Sequence, residues 1–143
     1  GSNIFVSIEL GKSRKIHGDL SQVQNALLNL GINARDALSL DSGGFISYIT
    51  STIIITEGWN ERNGKELALG EYAVISVKDN GTGIPLEIRD SIFEPFYTTK
   101  EEGKGTGMGL AAVMGTAESH GGTIILESEI GVGTTFSLYF PTL

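Results

Sequence analysis

The sequence predicts one α/β domain, an antiparallel or mixed sheet with helices on one face. Three observations carry that reading. Five stretches alternate apolar and polar residues or are rich in Ile and Thr, as strands are. Longer stretches repeat apolar residues at three-to-four spacing, as helices do. Short Gly-rich turns join consecutive strands, which favours antiparallel pairing. A chain of 143 residues suits a single domain with a real core.

Residues 4–10 form the first strand, with Ile4, Val6, Ile8 and Leu10 on one side and Ser7 and Glu9 on the other. Residues 19–38 form the main helix. Asp19 can cap it, and Gln22 three residues on completes a capping-box spacing. Leu20, Val23, Leu27, Leu30, Ala34 and Leu38 make its core stripe. Asp41-Ser42-Gly43-Gly44 is a turn, and residues 45–56 are the second strand. Residues 57–70 are polar and read as a long hairpin connection. Residues 72–78 are a strand, 86–92 a short helix and 94–107 a loop. Residues 108–120 are a helix with Leu110, Val113, Met114 and Ala117 inward, ended by Gly121-Gly122. Residues 123–128 and 134–140 are the last two strands, joined through Gly131-Val132-Gly133.

Composition narrows the function. Apolar residues are 40% and charged residues 19%, which fits a folded domain. The net charge of -7 argues against a nucleic-acid partner, since neutralising phosphates needs surplus Lys and Arg. An acidic protein still binds a nucleotide if Mg²⁺ and backbone N–H groups carry the phosphates. No cysteine is present, which excludes disulfides and thiolate metal sites and fits a reducing compartment. No apolar run reaches the roughly 20 residues that span a bilayer. No direct membrane insertion is therefore expected, no signal peptide is visible, and a cytoplasmic location is expected. Gly1-Ser2 reads as a cloning scar, with the domain over 3–143 cut from something longer.

Four segments carry the chemistry. In Asn25-Ala26-Leu27-Leu28-Asn29-Leu30-Gly31-Ile32-Asn33-Ala34, Asn25, Asn29 and Asn33 lie four apart, with Asp36 three further on. On a helix these fall within an ~80° stripe, roughly 130° from the centre of the apolar stripe. Asn oxygens are hard neutral ligands suited to Mg²⁺ beside phosphate; read alone, the same face is equally a solvated one. Asp79-Asn80-Gly81-Thr82-Gly83 puts a carboxylate at a strand end, able to accept from an adenine amino group. Read alone, it is more often a plain turn. Gly105-Thr106-Gly107-Met108-Gly109-Leu110 alternates glycine and opens a helix, where free N–H groups bind phosphate. It matches neither the P-loop nor the dinucleotide fingerprint, and a merely flexible loop is the alternative. Phe93-Glu94-Pro95-Phe96-Tyr97-Thr98-Thr99-Lys100 reads as an aromatic plug before that loop. Lys100 and Lys104 can reach phosphates, although Glu101 and Glu102 between them fit an ordinary solvated cluster equally well. His120 precedes a Gly-Gly helix end and reads as an electrostatic aid to that terminus; His17 has no partner of the kind a nucleophile needs.

These segments in this order resemble the catalytic ATP-binding domain of two-component sensor histidine kinases. That family belongs to the superfamily of gyrase, heat-shock chaperone, histidine kinase and mismatch-repair ATPases. Asn33-Ala34-Arg35-Asp36-Ala37, the aromatic segment and the ending Gly131-Val132-Gly133-Thr134-Thr135-Phe136 through Pro141 look like the nitrogen-regulation and hybrid-kinase branch. The resemblance implies a two-layer α/β sandwich of the Bergerat type, with ATP and Mg²⁺ as cofactors. It implies that Asn33 holds Mg²⁺ and Asn29 lies near the phosphates, both counted as catalytic. Asp79 would bind the adenine amino group, with Gly81 and Gly83 shaping the pocket. Phe93 and Phe96 would anchor a lid in which Gly105, Gly107 and Gly109 wrap the triphosphate. The implied nucleotide set also takes in Arg35, Asp36, Ile84, Thr99, Lys100, Lys104, Thr106, Met108, Leu110 and Thr134. The implied partners are a histidine phosphoacceptor (dimerisation) domain and a response regulator receiver domain.

Two departures from the family stand out. Many sensor kinases carry Lys where this chain has Asp36; Arg35 is adjacent but points about 100° away. No phosphoacceptor helix is present in these residues. Chaperone and gyrase relatives use a Glu one turn before the metal-binding Asn; here that position is Asn29, and an amide is no general base. The expected function is therefore phosphotransfer to a histidine on a separate domain. The alternatives are a degenerate nucleotide-sensing or docking module and a serine kinase of the same fold.

Overall fold

The computed structural model describes residues 4–11, 14–38, 43–95, 97 and 109–143. The strands are β1 (Ile4–Leu10), β2 (Gly44–Ile55), β3 (Gly70–Asp79), β4 (Thr123–Glu129) and β5 (Gly133–Pro141). The helices are α1 (Leu20–Ala37), α2 (Glu57–Asn63) and α3 (Gly109–Ser119). The sheet order is β1-β2-β3-β5-β4. β1 runs parallel to β2 and the other pairs are antiparallel, so the sheet is mixed.

Side chains alternate across a strand. One sheet face therefore carries Ile46, Val77, Ile124, Phe136, Leu138 and Phe140, and these meet Ala26, Leu30 and Ala34 of α1 and Val113 and Ala117 of α3. The small residues on α1 and α3 bring both helices close to the larger residues of the sheet. The core stripe of α1 differs from expectation at its start. Leu20 is 71% exposed, while Ala26 is 2% exposed. Leu20 sits in the first turn, where side chains tilt back past the helix end. Ala26 lies one turn before Leu30 on the buried face.

The cap of α1 is half of a capping box. Asp19 Oδ1 accepts from the Gln22 amide at 3.1 Å. The Asp19 amide does not go to Gln22; it donates to His120 Nε2 at 3.0 Å. His120 Nδ1 lies 2.7 Å from the Thr116 carbonyl, which places the ring proton there and leaves Nε2 as acceptor. The ring stands edge-on to Phe140 at 5.7 Å. His120 is thus a hydrogen-bonded bridge: it serves the end of its own helix through the Thr116 carbonyl and ties that end to the Asp19 amide at the start of α1.

Three further expectations are corrected. The 57–70 connection contains α2, capped by Thr56 Oγ1, which accepts from the Trp59 amide at 3.1 Å, and closed by Gly64 in a left-handed conformation. Trp59 packs on Tyr139 at 5.3 Å and, with Ile55 and Tyr72, forms a small core on the other sheet face. Seven residues with one large apolar anchor carry no helical periodicity, which is why the pattern along the chain does not reveal the helix. Second, the 86–92 helix is two 3-10 turns, Leu86–Ile88 and Ser91–Phe93. Third, β1 has the expected span but no buried side: Val6 is 60%, Ile8 68% and Leu10 78% exposed. The helices lie over the other strands, α1 over β2 and β3 and α3 over β4 and β5, so β1 stands outside the layer they cover. Residues 39–42 and 98–108, including half of the expected turn at 41–44 and most of the 94–107 loop, lie outside the described residues.

Candidate functional site

The site grows from the C-terminal end of β3. Asp79 is 4% exposed, and its neighbours across the sheet are Ile46 of β2 and Thr134 of β5. It lies on the sheet face that α1 and α3 cover, two residues beyond the buried Val77. Asp79 Oδ1 accepts from the Gly81 amide at 2.8 Å, and the Thr134 amide also donates to the carboxylate. Burial pushes the Asp79 carboxyl up from 3.8, and those two amides pull it part of the way back. An ionised carboxyl only accepts hydrogen bonds, so the group is set to receive a donor.

The turn after Asp79 is held on both sides. A Cβ on Gly81 would lie 2.4 Å from the Ala37 carbonyl oxygen, and the Thr82 amide donates to that oxygen at 3.2 Å. Ala37 is one helical turn beyond Asn33 on the same face of α1. The turn is thereby fixed beside the polar face. On the other side Gly83, at φ 81°, leaves no room for a Cβ, which would meet the Glu129 carbonyl at 2.5 Å. Both glycines thus have a reason in the protein's own packing. Asn80 clips the start of β2 by accepting from the Phe45 amide at 2.7 Å.

On α1, Asn25 is exposed, and Asn29 and Asn33 are half-buried. Among the described residues none of these three side chains makes a hydrogen bond within the protein. Arg35 and Asp36 pair with each other at 3.4 Å. The contact is at the surface and contributes little. Among the described residues no group of three or more His, Cys, Asp or Glu could hold a metal. A cation that takes its other ligands from phosphate and water needs only one or two protein oxygens, and the unengaged Asn amides fit that demand.

The remaining expected residues divide three ways. Ile84 and Thr134 lie against the Asp79 turn: the Ile84 amide donates to Ser128 Oγ at 2.8 Å, and Thr134 Oγ1 is 2.8 Å from the same hydroxyl. Phe93 stands edge-on to Phe136 at 6.1 Å, a packing position, while Gly109 and Leu110 open α3, Leu110 against the core. Phe96, Thr99, Lys100, Lys104, Gly105, Thr106, Gly107 and Met108 lie outside the described residues. Ser128 and Arg89, which buttress the turn, were not expected. Nothing local marks them, since Ser128 is 44 residues from Ile84. An open cleft of about 520 Å³ lies at this strand end; its lining takes in Asp79, Asn80, Ser128 and Thr134 together with Ser47, Lys78 and Thr135, whose side chains alternate to the opposite sheet face.

A pH dependence follows. A carboxyl whose folded value is raised adds stability below the ordinary 3.8, and that stability is lost as pH rises through the raised value. Ionised Asp79 therefore costs the fold some stability near neutrality. A ligand that donates to the carboxylate is expected to lose affinity as acidification protonates Asp79, at a pH above 3.8. ADP titrations across a pH series check this, and Asp79→Asn should remove that step.

An open mixed sheet with two helices on one face is the α/β sandwich found in solved catalytic domains of histidine kinases. The mycobacterial sensor histidine kinase MprB superposes with a TM-score of 0.74 at 24% identity, over 97% of this chain and 82% of that one. Full-length ShkA, solved in complex with AMPPNP, gives a TM-score of 0.73 at 25% identity, over 97% of this chain and 26% of that one. In sequence, the sensor kinase CckA of Brucella abortus is 41% identical over 144 aligned positions, covering 100% of this chain and 15% of CckA. The chain belongs to the histidine kinase-, DNA gyrase B- and HSP90-like ATPase family, whose pattern it matches over residues 18–143. It is an ATP-binding domain of the kind sensor histidine kinases carry, and it spans only 15% of the length of CckA. No helix among the described residues is long and apolar enough to cross a membrane.

Proposed function

We propose that this domain binds Mg²⁺-ATP and presents the γ-phosphate to a histidine on a separate dimerisation domain, for relay to a response regulator receiver domain. The observation that carries the reading is Asp79: a buried carboxylate, oriented by two backbone amides, facing the side of the sheet on which α1 lies. Its open lone pairs suit the adenine amino group, and a guanine oxygen at the same place would meet an acceptor. The AMPPNP bound by the structurally similar ShkA supports a nucleotide as the ligand.

The residues take the following roles. Asp79 selects the base. The Gly81 turn, stapled to Ala37, holds the base at a set position along α1. Asn29 and Asn33 offer oxygens to the phosphate end, with Asn33 the ligand to Mg²⁺. Bound there, the cation neutralises charge on the phosphate oxygens. Catalysis then rests on positioning the phosphoryl group in line with an external imidazole. Asn29 offers no general base, so water is activated poorly and hydrolysis stays slow.

Calorimetric titration with ADP and ATP, with and without Mg²⁺, tests the reading. Micromolar binding is expected. Asn33→Ala is expected to weaken ATP binding in Mg²⁺ by about tenfold, the scale of one charge-assisted contact, with ADP in chelator unchanged. An unaltered Mg²⁺ dependence would move the metal to another residue. A well-folded chain that binds no nucleotide would favour a docking module of the same fold.

A further inference from the structure

We propose that Arg89 is a positioning residue for base recognition, holding the turn after Asp79 against the β4–β5 hairpin; this rests on the nucleotide reading above. Arg89 is half-buried. Its Nε donates to the Ile84 carbonyl at 3.1 Å and a terminal nitrogen donates to the Ser128 carbonyl at 2.6 Å. Among the described residues it forms no salt bridge with a carboxylate. A cation placed in a protein usually faces a carboxylate or water. Here the guanidinium donates to two backbone carbonyls, those of Ile84 and Ser128, which lie 44 residues apart in sequence.

The second half of the clamp is Ser128. Its Oγ accepts from the Ile84 amide at 2.8 Å, donates to the Gly133 carbonyl at 3.2 Å and lies 2.8 Å from Thr134 Oγ1. Both backbone groups of Ile84 are therefore held, the carbonyl by Arg89 and the amide by Ser128. Thr134 in turn sends its amide to the Asp79 carboxylate. A continuous set of hydrogen bonds thus runs from Arg89 through Ile84 and Ser128 to Thr134 and Asp79. The Gly131 amide, which donates to the Thr82 carbonyl at 3.0 Å, closes the seam from the hairpin side.

The chemistry explains why the position holds arginine. Nε and a terminal nitrogen lie in one rigid plane, so the fork fixes two acceptors at a set separation. A lysine ammonium on a flexible stem fixes no such geometry. The clamp's hydrogen bonds join the base-reading turn to the β4–β5 hairpin, and none of them goes to α1. The polar face of α1 is tied to that turn separately, through Ala37. Loss of the clamp should therefore blur base selectivity and leave the Mg²⁺-phosphate end intact. A misplacement on the order of 1 Å in a positioned group can cost about a hundredfold.

The test measures ADP and GDP affinity by competition for the intact domain and for Arg89→Gln, Arg89→Lys and Ser128→Ala. Folding is monitored by circular dichroism. The preference for ADP over GDP is expected to fall about tenfold or more in Arg89→Gln, with the Mg²⁺ dependence of ATP binding unchanged. Arg89→Lys should not restore it, although the charge is kept. Ser128→Ala combined with Arg89→Gln should lose little more than either alone. A folded Arg89→Gln with the full preference would overturn the proposal. If that variant fails to fold, Arg89→Lys decides on the same ratio, and full selectivity in it overturns the proposal. An unsubstituted domain that binds no ADP overturns the nucleotide reading and this inference together.

Discussion

Asp79→Ala is expected to lower ADP affinity by about a hundredfold, the upper range for losing a charge-assisted hydrogen bond in a buried site. Two opposing effects act on the fold. The Gly81 and Thr134 amides lose their shared acceptor, at about 1–3 kcal/mol for each amide left unsatisfied. The removal of a carboxyl that burial has pushed up from 3.8 offsets part of that loss. The variant should therefore remain folded, with a modest change in Tm. Asp79→Asn is the companion variant, since it keeps the shape and an acceptor but adds an NH₂ donor. Toward an adenine amino group that places donor against donor, so binding should fall as far as in the alanine variant. Calorimetry with ADP, beside a thermal melt of each protein, reads both quantities. Normal affinity in either folded variant would place the base elsewhere.

The largest effect on stability is expected from Gly133→Ala. Gly133 has φ 145°, a region L side chains rarely adopt, and a Cβ there would lie 2.1 Å from the Asp79 carbonyl oxygen. Neither neighbour can yield cheaply. Asp79 is hydrogen-bonded into the turn, and Gly133 begins the strand that pairs with β3 through Thr134. The added methyl must either part β3 from β5 or shift the hairpin. A loss of roughly 3 kcal/mol or more is expected, beyond the ordinary range for a point substitution. Gly131→Ala is the control. Its φ is 82°, but nothing lies within 4 Å of the added Cβ, so it reports the conformational cost without a clash. That cost is about 1 kcal/mol. Urea unfolding of the two variants separates the terms, and equal losses would show that the close approach to Asp79 is not what demands glycine at 133.

Much of the fold was legible in the sequence. The spans of β1, β2, β3, β4 and β5 were readable because alternation records burial locally. The two faces of α1 were readable for the same reason, since Leu30 and Ala34 recur on one side and Asn29 and Asn33 on the other. Asp79 at a strand end and its place in the order of segments were also on the page. Less legible was anything a single contact decides. α2 exists because one indole, Trp59, finds Tyr139 on the far side of the sheet. A lone anchor leaves no period to detect. The 86–92 segment has apolar residues at helical spacing, yet it breaks into two 3-10 turns.

By itself the sequence determined the five strands, the helices α1 and α3, the polar stripe of α1, and the family to which the ordered segments belong. Tertiary structure alone decided how those pieces are fastened. His120 bonds to the Asp19 amide across 101 residues of sequence, and Arg89 reaches Ser128 across 39. Gly81, Gly83 and Gly133 are glycine because carbonyls of Ala37, Glu129 and Asp79 come within 2.5 Å of where a Cβ would stand. The physical reason is common to all of these. Periodicity encodes the exposure of one element to solvent, and it is written along the chain. A hydrogen bond or a close approach between distant segments depends on where both backbones end up, and no local pattern records that.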